Sequence, residues 1–75
     1  MEVRLARVFG KVLREYRLAA GLTQERLAHE TDLHRTYISL LERGMRQPSL
    51  ATIFLLAKEV GCEPHKLIED VQKKF

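Results

Sequence analysis

Hydrophobic positions along the chain recur with helical spacing from end to end. Leu5, Val8, Phe9, Val12, Leu13 and Tyr16 lie three or four residues apart, which lays one apolar stripe along a first helix. Ala19-Ala20-Gly21 closes it, because glycine takes the left-handed conformation that ends helices without strain. Thr23 offers a side-chain oxygen to the free N–H groups of a second, short helix running to about Glu30, with Leu27 and Ala28 inward. Thr31-Asp32-Leu33 interrupts the pattern. A third helix is expected from about Arg35 to Arg43, with Ile38 and Leu41 facing the core and Gly44 ending it. Gln47-Pro48 reads as a loop. Ser49 then caps a fourth helix, in which Leu50, Ile53, Phe54, Leu56, Ala57 and Val60 leave little of the circumference polar. Gly61 stops that helix, and Pro64 suits the first position of a fifth, which carries Leu67, Ile68, Val71 and Phe75. No alternation of β type, repeat or linker interrupts this order. The expected fold class is all-α, one compact five-helix domain over residues 1–75.

Size and composition narrow the chemistry. A chain of 75 residues buries only roughly 60% of the surface its unfolded form exposes. Cys62 is the single cysteine, so no internal disulfide adds to the core, and a lone thiol suits a reducing compartment. Oligomerisation is then the expected source of further stability. His29, His34 and His65 are scattered and, with Cys62, give no metal-ligand spacing, so neither a metal nor a cofactor is expected. No apolar run approaches the roughly 20 residues of a membrane span, and the N-terminal segment has no signal-peptide core, which predicts a cytoplasmic protein without a membrane partner. No catalytic triad, paired-carboxylate pocket or phosphate-cradling loop is visible, and the chain is too short for a deep cleft, so no enzyme is expected.

Net charge is +3, unevenly placed. Residues 1–47 hold nine basic groups (Arg4, Arg7, Lys11, Arg14, Arg17, Arg26, Arg35, Arg43 and Arg46) against six acidic ones, whereas residues 48–75 hold four lysines against four acids. Every arginine therefore lies in the first two thirds, and arginine suits bidentate recognition of phosphate and guanine edges. This points the N-terminal part towards a polyanion.

The stretch TQERLAHETDLHRTYISLLERG, residues 23–44, carries the most information. Two short helices joined by a tight turn match the motif in which the first helix crosses the DNA backbone and the second enters the major groove. Leu27, Ala28, Leu33, Ile38 and Leu41 pack the two together. His34, Arg35, Thr36, Tyr37, Ser39 and Leu40 are left partly or wholly on the free surface. Ordinary solvated helices show Glu and Lys at such positions, whereas this one shows ligands for groove and phosphate.

With these residues in place the chain resembles the Cro/C1-type helix-turn-helix regulators, which share a lambda-repressor-like fold. The matching positions are Arg14 and Arg17, Gly21-Leu22-Thr23-Gln24, Leu27-Ala28, Tyr37-Ile38-Ser39, Leu41-Glu42-Arg43-Gly44, Pro48-Ser49-Leu50 and Leu56-Ala57. Within the family, chain size and the Arg35-Thr36-Tyr37-Ile38-Ser39 segment are most similar to restriction–modification controller proteins, with small phage-type and antitoxin-type repressors in the same frame. The resemblance implies a transcription regulator that reads double-stranded DNA through a motif at about 23–43. Arg35, Thr36, Ser39 and Arg46 would read bases. Thr23, Gln24, His34, Tyr37, Arg43 and Gln47 would contact the backbone, with Gln24 also bracing the neighbouring recognition-helix side chain. Arg17 and Glu42 would form a structural ion pair.

Two positions depart from the family. Asp32 stands where many relatives place glycine, and aspartate tolerates the left-handed conformation. His34 stands where relatives use Ser, Thr or Asp as a cap. A neutral imidazole accepts a bond there and a protonated one does not, so a modest pH dependence of binding near neutrality is expected. The apolar surplus of the last two helices implies a homodimer formed by about residues 50–75, through Ile53, Phe54, Leu67, Ile68, Val71 and Phe75. Its operator would be palindromic. No pocket for a small-molecule effector is evident. The alternative function is a protein-interaction or adaptor domain of the same fold.

Overall fold

The computed structural model describes residues 1–75 as five α-helices: α1 (Val3–Ala19), α2 (Gln24–Thr31), α3 (Arg35–Glu42), α4 (Leu50–Val60) and α5 (Pro64–Lys74). α1 packs against both α3 and α5, while α2 packs on α3 and α4. One continuous core results, with Val12, Leu13, Leu27, Ile38, Leu41, Leu56 and Leu67 wholly out of solvent and Phe9, Ala28, Ala57, Val60 and Val71 around them. No helix is long and apolar enough to cross a membrane.

Local chemistry sets most helix ends. Thr23 Oγ1 accepts from the Arg26 N–H at 3.0 Å and Ser49 Oγ from the Thr52 N–H at 3.1 Å, each satisfying a donor that the first turn leaves open. Glu2 caps α1 through its carboxylate, which accepts from the Arg4 and Leu5 N–H groups. Thr31 stays inside α2 rather than interrupting it, buried, with its hydroxyl satisfied by the Leu27 carbonyl at 2.7 Å. The turn comes one residue later. Asp32 takes φ 58° and ψ 29°, and the Leu33 N–H returns to the Ala28 carbonyl at 3.0 Å, so the chain reverses between α2 and α3 without a glycine.

The tightest helix crossing rests on Gly10, in the middle of α1. A Cβ there would lie 2.4 Å from the Leu41 carbonyl oxygen and 2.5 Å from that of Glu42. α1 therefore runs directly over the C-terminal turn of α3 at a distance that no side chain permits. Beside it Gly44, at φ 73°, closes α3 and lies against Arg7, whose Cα would be 2.7 Å from a Gly44 Cβ.

The last two helices correct part of the expected dimer surface. Leu67 and Val71 are buried within this chain's own core and are not free to meet a second copy. They share the inward stripe of α5, and Ile53 is half-buried against the same core. Phe54, Ile68 and Phe75 do remain exposed, together with Leu50 and Leu55 on α4.

Candidate nucleic-acid interface

α3 is fixed by what it buries. Ile38 and Leu41 enter the core, and Glu42, a charged residue, is buried with them. Both oxygens of the Glu42 carboxylate are engaged. Arg17 Nε donates to its Oε2 at 2.6 Å and Arg17 Nη2 to its Oε1 at 3.0 Å, the parallel two-bond geometry that guanidinium and carboxylate share. Both side chains are nearly out of solvent, at 8% and 3% exposure. Arg17 Nη1 also donates to the Leu22 carbonyl at 2.8 Å, tying in the loop between α1 and α2. Gln24 completes the cluster by donating from Nε2 to Glu42 Oε1 at 3.1 Å. One buried carboxylate thus joins α1, the start of α2 and the end of α3.

The side chain of the recognition helix that Gln24 braces is Glu42, at the far end of α3, and Gln24 is half-buried there. The Gln24–Glu42 contact is invisible in the sequence, since 18 residues separate the pair and neither motif nor periodicity joins them.

On the outward side, Thr36, Ser39 and Arg43 follow at i, i+3 and i+7, one above the other, with Arg35 beside them at the N-terminal end. Arg35, Thr36, Arg43, Arg46 and Gln47 are exposed, whereas Tyr37, Ser39 and Leu40 are half-buried. Tyr37 leans on the hydrophobic core. His34 occupies the N-cap position of α3, but its side chain makes no capping bond, which departs from the acceptor role expected of it. Thr23 keeps its hydroxyl proton free to donate, because the cap uses only the oxygen as acceptor. No acidic side chain pairs with Arg35, Arg43 or Arg46; the one ion pair on the motif's exposed surface is Arg26 with Glu30 at 2.8 Å within α2. The face is cationic and hydrogen-bonding, with its positive groups uncommitted.

A family model described as helix-turn-helix matches residues 13–67. The chain belongs to the helix-turn-helix family of the Cro/C1 type. Control protein C.BamHI of Bacillus amyloliquefaciens is 46% identical over 63 residues, 83% of this chain and 78% of that protein. Among solved structures, the restriction–modification controller protein C.AhdI from Aeromonas hydrophila is 45% identical with a TM-score of 0.79, covering 83% of this chain and 94% of that one. The C.Esp1396I controller tetramer in complex with its natural 35 base-pair operator is 33% identical with a TM-score of 0.83, covering 93% of this chain and 92% of that one.

Proposed function

We propose that this helix-turn-helix protein is a sequence-specific, double-stranded DNA-binding transcription regulator of the restriction–modification controller type, acting as a homodimer on a palindromic operator. The observation that carries the reading is the outward face of α3, where Arg35, Thr36, Ser39 and Arg43 stand unpaired on a helix clamped from behind by Arg17 and Glu42. A helix of that width fits the major groove, and a rigid mount keeps base contacts in register.

In this reading Arg35 takes the O6 and N7 of a guanine, a bidentate contact that discriminates by about 1–3 kcal/mol. Thr36 and Ser39 meet neighbouring base edges, and Arg46 reaches a groove from the loop after α3. Thr23, Gln24, His34, Tyr37, Arg43 and Gln47 hold the phosphates, Gln24 through its backbone N–H or the second hydrogen of the Nε2 group that donates to Glu42. Residues 23–43 are the reading unit. Residues 50–75 supply the dimer contact through the exposed Phe54, Ile68 and Phe75 and the half-buried Ile53, with Leu50 and Leu55 extending the same surface. A two-fold axis there sets the recognition helices about 34–36 Å apart, one turn of duplex. Such a regulator works in the cytoplasm, at the nucleoid.

Selection from random duplex DNA at about physiological salt, repeated with Arg35→Ala, tests the proposal. A palindromic consensus that loses one position in the variant, at unchanged thermal stability, is the expected result. Failure of the folded protein to enrich any duplex would overturn the reading in favour of an adaptor domain.

A further inference from the structure

The outward face of α3 does not end at Arg43. Gly44, the next residue, lies against Arg7 of α1, so the surface of the recognition helix continues onto the first helix. Along that edge of α1, Gly10 touches the backbone of Leu41 and Glu42, and Arg17 grips Glu42. Helical periodicity of about 100° per residue places Arg14 and Arg7 within roughly 70° of this contact edge, on its solvent side. Lys11 lies roughly 110° away and faces further out. Arg7, Lys11 and Arg14 are all exposed, and none has an acidic partner. Arg4, the remaining cation of the stripe, is engaged over the ring of Phe75 at 4.5 Å.

Unpaired cations beside a buried helix crossing gain nothing from the fold, and clustering them on one edge raises their mutual repulsion. A polyanion at that edge relieves it. We propose that Arg7 and Arg14 bind the sugar–phosphate backbone of the operator beyond the motif, continuing the line of phosphate contacts that Arg43 begins. The occupant is the DNA strand that runs past the C-terminal end of α3. The inference rests on α3 lying in the major groove, as proposed above, and adds a set of contacts outside the helix-turn-helix. These contacts position the protein and carry no base information.

The test is the salt dependence of operator binding. Each lost phosphate contact lowers the log–log slope by about 0.9, so Arg7→Gln with Arg14→Gln in a dimer should flatten it by roughly 3.6. The selected consensus should stay the same. Lys11→Gln removes the same charge from the same helix one step further from the edge, and its slope should stay close to that of the parent protein. Thermal unfolding of each variant verifies that the fold is intact, and ethylation interference should lose the outermost phosphates of each half-site only in the double variant. An unchanged slope in the double variant overturns the proposal and leaves DNA reading by α3 standing. So does an equal loss per charge removed in Lys11→Gln, half that of the double variant, which would show a general field rather than contacts. A slope unchanged on DNA but a lost interaction with an acidic protein would transfer the ridge to that partner. Absence of duplex binding by the parent protein would overturn both readings together.

Discussion

α1 meets α3 along one edge and α5 along another, and the two edges are built differently. Towards α3 the contacts are a buried bidentate ion pair, Arg17 with Glu42, and a backbone approach at Gly10. Towards α5 the polar contacts lie near the surface, above the buried Leu67 and Val71: Tyr16 donates to Asp70, and Lys74 pairs with Glu15 at 2.7 Å with both side chains about half exposed. The treatment of surplus charge divides the same way. Lys66, Lys73 and Lys74 of α5 all have carboxylates within reach, namely Glu69, Asp70 and Glu15. Arg7, Arg14, Arg35, Arg43 and Arg46 have none. The α3 edge buries its one ion pair and leaves its outer cations for something outside the protein, while the α5 edge neutralises its own at the surface.

The sharpest way to break this contrast is to strand one half of the buried pair. Glu42→Ala leaves the Arg17 guanidinium buried without its carboxylate and should cost about 3–5 kcal/mol of stability in urea unfolding. Replacing both charges, Arg17→Met with Glu42→Leu, should restore part of that loss, since the apolar pair leaves no buried charge, although the Leu22 carbonyl and the Gln24 amide lose their partners. A Glu42→Ala variant within about 1 kcal/mol of the parent would mean that water reaches the pair and that the α3 edge is no stiffer than the other.

Gly10 tests the same edge without charge. In an open helix, glycine to alanine gains roughly 0.5–1 kcal/mol. Here the added methyl meets two carbonyl oxygens of the backbone, which have no rotamer to yield, and the helices must separate. Gly10→Ala should therefore destabilise by about 1–3 kcal/mol, and it should weaken operator binding beyond the stability loss because α3 moves. A gain in stability would show that α1 slides freely over α3.

What could be read in advance follows the same division between local and distant causes. Thr23, Ser49, Gly61 and Pro64 mark helix ends through chemistry within a few residues, and the five helices were legible for that reason. The pairing of Arg17 with Glu42 came only from resemblance to a family, since 25 residues lie between them. Gly10, a glycine amid an apolar helical stripe, is a visible anomaly, but its meaning depends on which helix crosses there. Leu67 and Val71 were misread because periodicity says that a stripe is covered but not by which chain. On α5 the inward stripe belongs to the monomer, and only Ile68 and Phe75 are left over. The outward positions of the recognition helix were legible, because two short helices with known inward residues leave only one other side.

The smallest expected effect lies on the α5 edge and depends on pH. The hydrogen bond to Asp70 keeps the Tyr16 phenol protonated, pushing its pKa up to about 12, with partial burial adding to the shift. The same bond from Tyr16 holds the Asp70 carboxyl below its ordinary value. A raised phenol pKa means that the folded state favours the protonated ring. Its contribution is complete below about pH 10, where the unfolded phenol is also protonated, and fades as pH climbs towards 12. A lowered carboxyl pKa works in the opposite direction: the contribution is complete above the usual carboxylate range and fades as pH falls through it. Tyr16→Phe removes both, so the stability gap between parent and variant should be flat from about pH 5 to 9 and narrow at either end. On the plateau it should be small, as expected for one hydrogen bond at the protein surface. Operator affinity should hardly change there, because neither Tyr16 nor Asp70 bonds to the Arg17–Glu42–Gln24 cluster that holds α3. A Tyr16→Phe variant that lost affinity as steeply as Gly10→Ala would show that the two edges move as one body, and the contrast between them would fall.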